Sequence, residues 1–193
     1  MKKFHIIINS PEISVREISA LLETQLNLSP IRLSEAFRES KDNNTNLFSR
    51  LNKFIERGEL IPSELTNELI EYKLENTRAN GIQLIRYPRN KEQFLSVIEM
   101  LNRHDYTFEH LWYLTYKSLD QVIEFKKNKE KDDPYIKKFG FDDEYFRKRH
   151  QEHVNSYEDI SSVVTDKSRI TLIKMNYPPN VEELKKCITS FIK

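Results

Sequence analysis

Short apolar runs alternate with long stretches of helical period along this chain. His5–Asn9, Ile82–Tyr87, His110–Tyr116 and Arg169–Met175 read as strands. Between and around them, helices are expected near Ser14–Leu26, Ile31–Ser40, Thr45–Glu56, Ser63–Thr77, Lys91–Asn102, Leu119–Lys127, Asp142–Val163 and Asn180–Ile192. The last has the clearest start: Pro178-Pro179 precede Asn180, and Glu182 and Glu183 fall in its first turn. Apolar strands separated by helices argue for a parallel sheet, whose crossovers cover both of its faces. The pattern therefore predicts an α/β fold of three layers, a parallel sheet with helices on both faces. In Leu111-Trp-Tyr-Leu-Thr-Tyr116, a central-strand candidate, the aromatic residues are expected in the core.

At 193 residues the chain is long enough for one well-filled core, and a single domain, 1–193, is expected. A net charge of +1 with 32% charged residues gives no general nucleic-acid surface. No stretch has the length of a membrane helix, and no signal-peptide pattern follows Met1. The expectation is a cytoplasmic protein, with no nucleic-acid partner and no membrane partner. The single Cys187 excludes an internal disulfide and a Cys-rich metal site, and reads as a buried structural thiol in the last helix. The five histidines form no metal pattern: His150 and His153, three apart on a helix, lack a supporting ligand set and read as an exposed polar face. No metal residues are expected. The pairs Asp132-Asp133 and Asp142-Asp143 read as surface or helix-start residues, and there is no GxSxG.

The segment Asn80–Gln93, NGIQLIRYPRNKEQ, carries the most specific signal. Ile82, Leu84 and Ile85 form a strand, and Arg89 and Gln93 follow just past its C-terminal end, where open α/β sheets bind ligands. It resembles the adenylate kinase family, whose segment reads roughly NGFLLDGFPRTxxQ. In the family the Arg grips the AMP phosphate and the Gln reads adenine, so the resemblance assigns those roles to Arg89 and Gln93. The family's magnesium-site Asp is Ile85 here, and the Gly after it is Arg86. The likeness extends outward. Arg38, in LSEAFRES, falls on the family's second AMP-phosphate Arg, although Leu33-Ser34-Glu35 replaces Thr-Gly-Asp. Leu51–Leu74, LNKFIERGELIPSELTNELIEYKL, matches the family's xxxGxLVPDExVxxLVxxRL, so Gly58, Leu60 and Ile61 fall on the turn facing adenine. Ser63 reads as an N-cap there, with Glu64 in the first turn. The fold implied is that of a P-loop nucleoside monophosphate kinase. It has a small helical NMP-binding insertion at about 31–77 and a short lid at about 126–141. On the helix after the lid, Arg149 aligns with a catalytic Arg of the family, while Lys138 stands near another.

The donor half departs from the family. After the first strand its GxPGxGKGT loop becomes Asn9–Glu17, NSPEISVRE. Pro11 is kept, Glu12 and Ser14 replace glycines, Val15 replaces the Lys and Glu17 replaces the hydroxyl residue. Glycines let backbone N–H groups close around phosphates, the Lys reaches the β/γ-phosphates and the hydroxyl binds the metal. Without a Gly, the stretch from Asn9 to Ser14 is not expected to form an anion nest. Glu12 and Glu17 oppose a polyphosphate, and Arg16 reads as a helix-surface cation. The whole chain has three glycines, Gly58, Gly81 and Gly140. Phosphoryl transfer is mostly positioning and charge neutralisation, so these losses remove what carries the rate. The resemblance therefore implies a catalytically inactive adenylate kinase-like protein, retaining part of an AMP-type site. It would act as a nucleotide-sensing or protein-interaction module, with AMP or another nucleoside monophosphate, or a protein, as partner. The alternative is an active kinase with an atypical donor site. No cofactor is expected; Mg and ATP enter only under that alternative. Glu35 or Glu56 could instead neutralise Arg38 and Arg89 within the protein.

Overall fold

The computed structural model describes residues 1–11, 13–59, 61–75, 77, 79–131 and 140–192. Its strands are β1 (Lys2–Asn9), β2 (Leu28–Arg32), β3 (Gly81–Ile85), β4 (Tyr106–Tyr116) and β5 (Ile170–Met175). Its helices are α1 (Arg16–Leu26), α2 (Leu33–Asn43), α3 (Thr45–Glu56), α4 (Ser63–Glu75), α5 (Lys91–Arg103), α6 (Leu119–Glu130), α7 (Asp143–Val163) and α8 (Val181–Ile192). The sheet has the order β2-β3-β1-β4-β5, and every pairing is parallel. The expected three-layer α/β architecture is present.

The strands alternate their side chains between two cores. Phe4, Ile6, Ile8, Ile82, Leu84, Leu111 and Tyr113 face a core closed by residues of α4, α5 and α7. Ile7, Ile85, Trp112, Leu114 and Tyr116 face the opposite core, closed by Ile18, Leu22, Val122, Leu184 and Ile188 of α1, α6 and α8. The aromatic strand residues are thus buried as expected. A third, smaller core of Ala36, Leu47, Leu51, Leu65 and Leu69 holds α2, α3 and α4 together. Asn180 caps α8 as expected: its Oδ1 accepts from the backbone N–H of Glu182 at 2.9 Å and of Glu183 at 3.3 Å.

Several local expectations are corrected. The helix expected from Ile31 begins at Leu33, because Leu28–Arg32 is a strand. Pro30 obscures that strand, yet it is tolerated because β2 lies at the sheet edge. Ser63 is the first residue of α4, and the Pro62 carbonyl accepts from the Thr66 N–H at 3.0 Å. Ser14 Oγ accepts from the Arg16 N–H at 3.2 Å, while Val15 occupies the cap position of α1. Cys187 is half-buried rather than buried. Of the lid expected at about 126–141, Asp132-Asp133 and Lys138 lie outside the described residues.

A buried polar residue locks the sheet to α1. Gln83 is fully buried on β3, and its Nε2 donates to the carbonyls of Ser19 and Leu28, each at 2.9 Å. Beside it, Gly81 leaves no room for a side chain. A Cβ there would fall 2.5 Å from Leu28 Cδ2 and 2.8 Å from the Lys3 carbonyl oxygen. The leucine can turn, but the Lys3 backbone is fixed in β1. Gly81→Ala is expected to lower stability by about 1–3 kcal/mol, the range for overpacking. A urea midpoint equal to that of the parent would refute the close approach.

Candidate functional site

Parallel strands deliver all their C-terminal ends to one edge of the sheet, and two neighbouring cavities open there. The first, about 580 Å³, lies between the start of α1, the start of α2 and the end of β3. Among the described residues, Arg16, Arg32, Arg86 and Arg89 line it together with one carboxylate, Glu35. Its apolar wall includes Val15 and Ile85, the two residues that stand where the family has its Lys and its metal Asp. The second cavity, about 220 Å³, shares Arg86 and Arg89 and adds Arg149, Glu152 and His153 of α7.

The loop after β1 closes on itself rather than opening to a ligand. Asn9, fully buried, donates through Nδ2 to the carbonyls of Ser10 at 2.9 Å and Ile13 at 2.8 Å. Its Oδ1 accepts from Arg86 Nε at 3.1 Å. Among the described residues from Asn9 to Val15 none has a positive φ, so the left-handed turns of an anion nest are missing there. Glu12 lies outside the described residues. Glu17 is not among the residues lining either cavity, whereas Arg16 lines the first.

Each arginine is held differently. Arg32, the last residue of β2, donates through Nη2 to Ser19 Oγ at 3.0 Å and lies 3.6 Å from Glu35. Arg86 has φ +61° where the family has Gly, and its N–H bonds to the Ile7 carbonyl at 2.9 Å. Such a backbone is uncommon for a residue with a side chain. Arg89 is exposed and has no carboxylate partner among the described residues. Half-buried Arg149 stacks its guanidinium over Tyr145, 5.4 Å from the ring centre.

The other expected site residues are dispersed. Arg38 is exposed on the α2 face that carries Ser34 and Glu35, one turn further along, and its Nε donates to the Ser34 carbonyl at 3.1 Å. Gln93 closes a cap at the start of α5: its Oε1 accepts from the Arg89 N–H at 2.8 Å, while Asn90 Oδ1 accepts from its own N–H at 2.8 Å. Gly58 ends α3 with φ +67°, and Ile61 packs on the insertion core. Neither lines a cavity described above. Leu60 lies outside the described residues. Neither expected internal rival neutralises Arg38 or Arg89: Glu35 pairs with Arg32, and Glu56 accepts from Asn52. Sequence reading passed over Arg32 and Arg86. Their signal was position, each standing at the end of a strand.

The histidines of α7 are half-buried rather than an exposed face. His150 stacks on Tyr116, and its Nδ1 is buried with no hydrogen-bond partner among the described residues. His153 is pushed down to about 4, first by burial and then by Arg89, Arg86 and Arg149. The side chain at the family's metal position offers magnesium no ligand. Ile85 offers no oxygen, and among the described residues no group of three His, Cys, Asp or Glu side chains could hold a metal. A hollow of about 950 Å³ lies at the opposite edge of the sheet, beside His5, Glu109 and His110. There Trp112 Nε1 donates to His5 Nδ1 at 3.1 Å, and His110 Nε2 bonds Thr171 Oγ1 at 2.7 Å.

No family model matches the chain. Individual relatives do. The chain is 34% identical over 110 residues to the adenylate kinases of Mycobacterium tuberculosis and Mycobacterium bovis, covering 56% of this chain and 55% of theirs. It is 32% identical over 124 residues to the adenylate kinase of Mycolicibacterium vanbaalenii, covering 64% of this chain and 62% of that one. The chain thus spans little more than half the length of the relatives it matches. Together with the parallel five-stranded sheet, these similarities support an adenylate kinase-like family member.

Burial and neighbouring cations give the fold a pH dependence of definite sign. His153 and His5 are both held near 4 against an ordinary value of 6.5. For His5 burial leads, and its charged neighbours are His110, Glu109 and Lys3. His153 faces Arg86, Arg89 and Arg149, with Glu152 on the same cavity wall. Between these values the unfolded chain binds more protons than the folded one, so stability rises with pH and is lost as the pH falls through this window. The urea midpoint is expected to be highest above about pH 6.5 and to drop steadily toward pH 4. His153→Gln should flatten part of that slope. An unchanged slope in both His153→Gln and His5→Gln would count against neutral histidines in the fold.

Proposed function

We propose that this chain binds a nucleoside monophosphate, with AMP as the reference ligand, and does not transfer phosphoryl groups. It is then a nucleotide-sensing or protein-interaction module on an adenylate kinase-like scaffold. The observation that carries the reading is one cavity wall, where Val15 and Ile85 stand beside Arg86 and Arg89. A donor site needs a cation and a metal-holding acid at the two apolar positions. A monophosphate needs guanidinium groups, and those remain.

In this reading Arg89 is the principal phosphate ligand, and Arg38 joins it from α2. Gln93 offers its side-chain NH2 to the base, since its Oε1 is occupied by the Arg89 N–H. The resemblance assigns the base side of the site to the turn of Gly58 and Ile61. Arg149 reaches the phosphate from α7, a role that stops at binding when no donor is held. Its half-buried guanidinium beside His153 suits that role. The adenylate kinase relatives support the choice of a nucleotide over other phosphorylated ligands.

Calorimetric titration with AMP tests the binding half. AMP is expected to bind at millimolar concentration or below, more weakly as salt rises. Arg89→Ala should weaken it about tenfold or more, given ~1.5–3 kcal/mol for a hydrogen bond to a charged group. A coupled assay tests the other half: AMP, ATP and magnesium should yield no ADP above background. Turnover that disappears in Arg89→Ala would establish an active kinase instead. Equal AMP binding by the Arg38→Ala, Arg89→Ala double variant would end the nucleotide reading.

A further inference from the structure

We infer that Arg16, Arg32 and Arg86 line a second phosphate subsite beside Arg89, so that the ligand class is an anion with two linked phosphate groups, bound without a divalent metal. The three residues come from separate places in the chain, the first turn of α1, the end of β2 and the turn after β3, and meet on one cavity. With Arg89 they make, among the described residues, four guanidinium groups against the single carboxylate of Glu35. That carboxylate is already engaged with Arg32. Among the described residues Arg16, Arg86 and Arg89 have no acidic partner, and the second cavity continues the positive wall to Arg149. Like charges held around a concave surface repel one another, and an anion relieves that repulsion.

The count of cations exceeds what a single phosphate requires. One phosphate presents three terminal oxygens, which two bidentate arginines already cover. A cavity of about 580 Å³ falls in the range of small-molecule sites and has room for more than one phosphate. Arg86 adds a separate argument. It holds φ +61° at a turn where glycine fits without strain. A strained residue with an unpaired charge, aimed at a cavity, points to a function for the charge rather than for the turn. Arg32 is fixed by Ser19 Oγ and shares its charge with Glu35, whereas Arg86 is fixed by the uncharged Asn9 Oδ1, so its position is set while its charge stays available. Arginines would then supply the neutralisation for which Ile85 and Val15 are unsuited.

This subsite shares Arg89 with the monophosphate reading, but it does not depend on recognition of a base. The test titrates phosphate, pyrophosphate, AMP and ADP into the full chain, with EDTA present throughout and ionic strength matched. Pyrophosphate is expected to bind at least about tenfold tighter than phosphate, and ADP at least about tenfold tighter than AMP. Arg86→Gly combined with Arg16→Gln should abolish both gaps. Gly suits the backbone at position 86, which offsets the donor lost by Asn9 Oδ1, and the variant's urea midpoint will show that it is folded. Equal affinities for phosphate and pyrophosphate overturn the subsite, and so does a gap that survives in the double variant. If AMP binds through Arg89 while the gaps are missing, the subsite fails and the monophosphate reading stands. If pyrophosphate and ADP bind with the expected gaps while AMP does not bind, the subsite stands and the monophosphate reading fails.

Discussion

All five strands run in one direction, and that constraint organises everything else in the molecule. A parallel sheet cannot turn back on itself, so each strand is followed by a helical crossover that covers one face. The ends of β1, β2 and β3 then lie side by side with no backbone between them. Asn9, Arg32 and Arg86 are far apart in sequence, yet each is the last residue of a strand or the first beyond it. Their convergence is a property of the topology, and the cavities follow from it.

Chemistry at that edge differs from what the scaffold usually supports. Glycine-rich loops recruit anions with backbone N–H groups, a mode that requires positive φ angles and open space. Here the loop is spanned internally by the Asn9 amide, and the positive charge is carried by side chains on neighbouring elements. Guanidinium groups bind phosphate oxygens well, but they do not orient an in-line attack on a nucleotide terminus by themselves. Val15 and Ile85 place apolar surface where transferring charge would have to be neutralised. This is the contrast on which the proposed binding function rests.

Much of the fold was legible in the sequence. Ile82, Leu84 and Ile85 gave a clear strand, and Asn180 after two prolines gave a helix start that the cap hydrogen bonds match. β2 was not legible, because only Leu28 and Ile31 of its five residues are buried and Pro30 breaks the usual pattern. Missing β2 also hid Arg32, whose importance comes from ending that strand. Arg89 could be read from its motif, whereas Arg86 could not, since its role depends on a backbone angle and on Asn9. Gln83 was equally silent: a lone polar residue in an apolar run gives no hint of the two carbonyls it reaches. Local patterns reveal elements, but partners brought together across the sheet become visible only with the topology.

The internal hydrogen bonds of Asn9 also bear on how any ligand is received. A loop that wraps a phosphate normally becomes ordered as it does so, and the lost conformational entropy is subtracted from the affinity. In this chain the carbonyls of Ser10 and Ile13 are satisfied by the Asn9 side chain before anything arrives. Those two carbonyls are therefore tied to Asn9 within the fold itself. Encounter with an anion then demands rearrangement of exposed guanidinium side chains, which move in picoseconds to nanoseconds, and not of the backbone behind them. Such a surface favours rapid exchange with its surroundings over slow capture.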